Sequence, residues 1–218
     1  MKQKLLSVAV AVTCLALAAS ARAGNITVTT TVGGQQGPWL QSLNPSFGYG
    51  VDDNSAPDVL TATSGFSFAA GGNFTVTYIS GCESAGSGFA CVDANGNTAY
   101  PFNNSPGSSG KVGPSFYMSP YPIYLSELVG TFADNGVIVG TPFALGNGPT
   151  VVTVPAGADE LQLGINDDIY SDNTGSFTVD VSGPGSVSPT PEPASLVLYG
   201  TGLLGLGALG WKRKKRLA

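Results

Sequence analysis

The densest chemistry in the chain is the run Asn166-Asp167-Asp168-Ile169-Tyr170-Ser171-Asp172-Asn173, which packs three carboxylates and two carboxamides into eight positions. Exposed like charges so close together repel one another by roughly a few tenths of a kcal/mol per pair. The run contains no Lys or Arg to relieve them. Hard oxygen donors on a loop suit calcium, which takes about six to eight oxygens at roughly 2.3–2.6 Å. The same composition would also serve as a solvated acidic loop. An EF-hand is excluded: counted from Asp167 or Asp168, the twelfth position is Thr178 or Val179 rather than Glu, and the D-x-[DN]-x-[DN]-G spacing is missing.

Composition removes most other chemistry. The 218 residues include no histidine, so Ser-His-Asp and Cys-His catalysis, His-ligated metals and the commonest general base are absent. A glycosidase needs two carboxyl groups opposed across a cleft. Nothing singles out such a pair, and Asp167 and Asp168 are adjacent in sequence rather than opposed. The expectation is therefore a protein that is not an enzyme. Of the 9 basic residues only Lys111 lies between Arg22 and Lys212, while all but Glu192 of the 14 acidic residues fall between Asp52 and Asp180. A body this acidic repels nucleic acid, whose phosphates need Lys and Arg, and attracts divalent cations.

The elements that must position the acidic loop read as strands. Ile26–Val32 and Phe74–Ser80 alternate, Val151–Val154 ends at Pro155, Leu161, Leu163 and Ile165 share one face, and Phe177, Val179 and Val181 share another. No stretch of the body carries a sustained helical period. Short alternating strands with Gly and Pro in the connections predict an all-β, jelly-roll-like β-sandwich over residues 24–182. The Ser-, Gly-, Asn- and Pro-rich stretch from Glu83 to Pro122 is least informative. Its Tyr117, Tyr121 and Tyr124 offer faces that stack on sugars or pack in a core.

Both ends carry export signals. Lys2 and Lys4, an apolar run and Ala21-Arg22-Ala23 form a signal peptide over 1–23, with cleavage expected after Ala23. Export leaves Cys82 and Cys91 as an even pair, expected to form a disulfide that pins a surface loop. Residues 183–190 read as a Gly/Pro/Ser linker. Residues 194–211 are uncharged and long enough for a short transmembrane helix, and the basic tail 212–216 places that end in the cytoplasm.

The tail from Pro191 to Arg216 resembles the PEP-CTERM sorting signal of exopolysaccharide-producing Gram-negative bacteria, through the Pro191-Glu192-Pro193 triplet, the Gly/Leu-rich span and the terminal basic cluster. That resemblance implies an exosortase as partner, cutting near the triplet. The protein would then be anchored in the inner membrane only transiently before reaching the cell surface, the extracellular matrix of a biofilm, or the medium.

The run LGINDDIYSDNTGSFTVDV, Leu163 to Val181, resembles the calcium- and sugar-binding segment of the galactophilic bacterial lectins related to PA-IL, whose fold is a small galactose-binding-domain-like jelly roll. The matching features are Asp167 after Asn166, and Asp172-Asn173 before Thr174-Gly175-Ser176-Phe177. The resemblance implies a Ca2+ site at Asp167, Asp172 and Asn173, with a backbone carbonyl near Ile169, and sugar contacts at Asp172 and Asn173. The loop is about two residues shorter than in those lectins, which leaves Asp167 and Asp168 as alternatives. Asp172 replaces an Asn of the family, and the family's sugar-contacting His has no counterpart. The implied ligand is an extracellular polysaccharide or a galactose-like sugar.

Overall fold

Alternating apolar residues fold into strands, as β-branched and aromatic side chains favour. The computed structural model describes residues 22–47, 55–102, 123–167 and 169–187. In chain order the strands are β1 (Arg22–Gly33), β2 (Asp58–Thr61), β3 (Asn73–Ser84), β4 (Asn97–Phe102), β5 (Ile123–Leu125), β6 (Leu128–Asp134), β7 (Val137–Ile138), β8 (Phe143–Ala144), β9 (Thr150–Thr153), β10 (Glu160–Ile165) and β11 (Thr174–Val187). A 3-10 turn, Ala62–Ser64, follows β2, capped by the Thr61 side chain.

The strands form a β-sandwich. One sheet runs β1-β11-β3-β9 and the other β2-β10-β6-β7, with β8 also on β6; β4 and β5 make a separate pair. In the first sheet Phe74 and Val76 of β3, Phe177, Val179 and Val181 of β11 and Val152 of β9 point inward. They meet Leu161, Leu163 and Ile165 of β10, Leu60 of β2 and Phe132 of β6 in one core. Phe74 and Phe132 touch across it edge-on, with ring centroids 6.0 Å apart. These contacts confirm the sandwich expected from the alternation of Leu161, Leu163 and Ile165 against Phe177, Val179 and Val181.

The centre of the second sheet is buried on both faces, since every residue of β10 and all of β6 before Asp134 are buried. The chain after β1 covers its outer side: the Gly37–Pro38 peptide crosses directly over Gly164, where any Cβ would strike backbone. Asn44 fastens this cover by donating to the Gly136 carbonyl at 2.8 Å and accepting from Ile138 N–H at 2.8 Å.

Two features depart from the sequence expectation. The pairing of β3 with β11 shifts register between Thr178 and Val179, leaving Ile79 as an extra, exposed residue. Such a bulge reverses which side chains face inward. Before it the even-numbered Phe74 and Val76 are buried; after it the odd-numbered Glu83 is. Second, β11 continues to Val187, so residues 183–187, which composition reads as linker, are strand. Ser67 N–H donates to the Pro184 carbonyl at 2.7 Å, and Ser186 N–H donates to the Gly65 carbonyl at 3.2 Å. Gly183 is required there by contact, because a Cβ would lie 2.6 Å from the Phe74 ring.

The residues from Ala23 to Val187 form one compact unit. Residues 1–21 of the expected signal peptide, the span 194–211 and the triplet Pro191, Glu192 and Pro193 lie outside the described residues, while Arg22 and Ala23, the end of the expected signal peptide, open β1. Among the described residues no helix is long and apolar enough to cross a membrane.

Candidate functional site

The acidic loop joins β10 to β11, and its inner half is held by backbone. Asn166 accepts from Ser126 N–H through its carbonyl at 2.9 Å, donates its own N–H to the Glu127 carbonyl at 2.8 Å, and donates Nδ2 to the Tyr124 carbonyl at 2.7 Å. Ser126 adopts φ 65°, a conformation uncommon outside glycine, at the tight turn between β5 and β6. Tyr170 is buried and donates its hydroxyl to the Ile165 carbonyl at 3.1 Å, folding the loop back on β10. Gln35 reaches over from the chain after β1 to the carbonyls of Ser171 and Asn173.

These anchors sort the candidate ligands. Asp167 is only 4% exposed, and its Oδ1 accepts from Ile169 N–H at 3.3 Å. Asn173 is 1% exposed; its Nδ2 donates to the Gly34 carbonyl at 3.0 Å, while its Oδ1 is buried with no hydrogen-bond partner. Asp172 and Ile169 are exposed. The Asp172 carboxylate lies against Gly86, where a Cβ would collide with it. Asp168 lies outside the described residues, as do Tyr117 and Tyr121. Tyr124 is half-buried, and its backbone serves the loop by accepting from Asn166.

Cys82 and Cys91 form the expected disulfide, with Cα atoms 5.5 Å apart. It closes a surface loop whose neck is also bridged by Glu83 and Val92, with hydrogen bonds of 2.9 and 2.7 Å.

Glu83 is the site residue that sequence reasoning missed. Its side chain is fully buried and neither carboxylate oxygen has a hydrogen-bond partner of full geometric quality, although Ser126 lies close enough to stabilise its charged form in part. Burial pushes its pKa up to about 8, and the negative charges of Asp167 and Asp172 add to the rise. Glu83 and Asn173 share a neighbour in Gly34: a Cβ on Gly34 would lie 3.1 Å from Glu83 Cγ, and its carbonyl takes the Asn173 Nδ2 bond. Alternation alone places Glu83 on the solvent face of β3; only the bulge at Ile79 turns it inward.

The donor set is all oxygen and suits a hard cation. Among the described residues no three His, Cys, Asp or Glu side chains stand together as a preformed metal cage.

Residues 189–216 match the family described as the PEP-CTERM protein-sorting motif. The motif marks an exported protein that is processed by an exosortase and sorted to the cell surface or secreted, as the triplet and basic tail imply. No curated protein and no solved structure matches the chain. The resemblance of the body to the galactophilic lectins therefore rests on the residues of the acidic loop alone.

Proposed function

We propose that this exported, exosortase-processed protein is a non-enzymatic binding protein of the cell surface or extracellular polysaccharide matrix. In this reading the loop 166–173 holds calcium and engages carbohydrate through the ion. The observation that carries it is Asn173 Oδ1, a buried oxygen left without a partner on a loop that also buries Asp167. Buried polar oxygens are nearly always satisfied, so an orphan beside carboxylates asks for a cation.

Asp167 and Asn173 would hold the ion from inside and Asp172 from the exposed side, with the Ile169 carbonyl as a backbone donor. Calcium supplies positive charge and coordination positions that vicinal sugar hydroxyls can fill. The exposed Asp172 would orient those hydroxyls. Binding requires the acidic side chains to close on the ion, since those among the described residues do not form a cage beforehand.

The test is isothermal titration of the purified protein with calcium, followed by glycan-array binding with and without chelator. Calcium binding together with chelator-sensitive glycan binding is the expected outcome; absence of calcium binding in wild type overturns the reading. A second reading, a matrix or adhesion protein with a purely stabilising calcium, draws on the burial of Asp167 and Asn173, which leaves Asp172 as the one exposed side-chain donor among those described. Calcium that raises the melting temperature without any glycan signal selects it.

A further inference from the structure

We propose that Glu83, delivered from β3 by the bulge at Ile79, is a direct ligand of the divalent cation held by the 166–173 loop. The site would thus be closed by a carboxylate from a different strand. This inference rests on the calcium reading of the loop given above.

Its basis is the accounting of charge and hydrogen bonds around a side chain with no access to water. The Glu83 backbone is clamped on one side by pairing with Gly175 of β11 and on the other by its two hydrogen bonds to Val92. The adjacent Cys82–Cys91 bond fixes the same point of the chain. The partner Gly175 has no side chain, and Gly34 leaves room where a Cβ would crowd the Glu83 methylenes. The backbone of Glu83 is therefore placed firmly, and Gly34 makes room for its methylenes.

Of the neighbours of the Glu83 carboxylate only the Ser126 hydroxyl favours its charged form, and among the described residues no positive charge stands beside it. The charges that act on Glu83 are Asp167 and Asp172, of the same sign. The sequence offers no Lys or Arg between Arg22 and Lys111 or between Lys111 and Lys212. A proton would cancel only the charge of Glu83 and add a single O–H donor, leaving the negative charges of Asp167 and Asp172 uncompensated. A divalent cation would give both carboxylate oxygens and Asn173 Oδ1 a partner, and would offset two of the three negative charges of Glu83, Asp167 and Asp172. Bidentate carboxylates of this kind are common calcium ligands.

The experiment compares wild type, Glu83→Gln and Asp167→Asn as purified full-length proteins, by calcium titration calorimetry and by terbium luminescence sensitised through the loop's Tyr170. Gln reproduces the shape of a protonated Glu but is a poor calcium ligand. Glu83→Gln should weaken calcium binding about tenfold or more, with an unchanged or higher melting temperature in chelator. Calcium affinity of Glu83→Gln within about twofold of wild type, while Asp167→Asn loses binding, overturns the role of Glu83 and leaves the loop reading standing. No binding by wild type overturns both. Should Glu83→Gln fail to fold by circular dichroism, infrared difference spectra of wild type labelled with 13C-glutamate decide. A calcium-induced shift of a glutamate carboxylate band supports the assignment, and unchanged glutamate bands overturn it.

Discussion

Glu127 sits beside the loop and shows how this body handles a carboxylate that does not face the proposed ion. It is 5% exposed, its Oε2 accepts from Tyr124 N–H at 2.8 Å, and burial pushes its pKa up to about 7 despite that bond. The folded protein thus holds the Glu127 proton more tightly than the unfolded chain, whose ordinary value is 4.5. Its contribution to stability is complete below that value and is lost as pH rises through about 7. Urea unfolding in chelator should show stability falling between about pH 5 and 8, by on the order of 1–3 kcal/mol from this group. Glu127→Gln keeps an acceptor for Tyr124 and should flatten that slope while raising stability at pH 8. A slope equal to that of wild type would refute the assignment. The residues of the loop itself were readable from spacing, because clustered Asp and Asn announce themselves. Glu83 and Glu127 were not: each is a lone carboxylate in an ordinary-looking stretch, and only tertiary packing removes it from water.

At the scale of elements, β3 illustrates what periodicity can and cannot carry. Its first half alternates cleanly, and Phe74 and Val76 face the core as expected. Beyond Ile79 the facing reverses, and a one-residue insertion leaves no mark in the alternation of small and polar residues at Ser80-Gly81-Cys82. The Gly183-Pro184-Gly185 segment misleads in the opposite direction. It has the composition of a linker, yet its glycines are small because Phe74 and Ile26 pack on them. The disulfide was legible from export and parity of cysteines, and it lies on β3 next to Glu83. Replacing Cys82 and Cys91 together by Ser should cost about 2–3 kcal/mol of stability, the loop-closure value for a bridge this short. Chemical denaturation of oxidised wild type against the double variant measures it, and a difference near zero would mean the Glu83–Val92 bridge alone fixes the loop.

For the whole molecule, the sandwich and the sorting tail were both apparent in the sequence, for different reasons. Strand alternation is local and survives in any all-β body; the tail is a linear signal read by an enzyme rather than by folding. Replacing Pro191-Glu192-Pro193 with alanines should block exosortase processing, so that an unprocessed form accumulates with membranes while the folded body is unaffected. Fractionation and immunoblotting read this out, and normal maturation of the variant would show that the triplet is dispensable. What sequence could not supply is the way three distant segments, at Gly34, Glu83 and Asn173, converge. That convergence depends on which strands become neighbours, and the order β1-β11-β3 is a property of the complete sheet.

That order also gives β11 a mechanical part. The acidic loop enters it at Thr174 and the strand ends at Val187, so the loop and Val187 lie at opposite ends of a 14-residue strand. At about 3.3 Å per residue the two ends of the strand are roughly 45 Å apart. A polymer gripped at the loop, with the protein tethered through its C-terminal side, would pull along the axis of β11. The strand is flanked by β1 and β3, so such tension is spread in shear over hydrogen bonds on both edges rather than peeling one edge open.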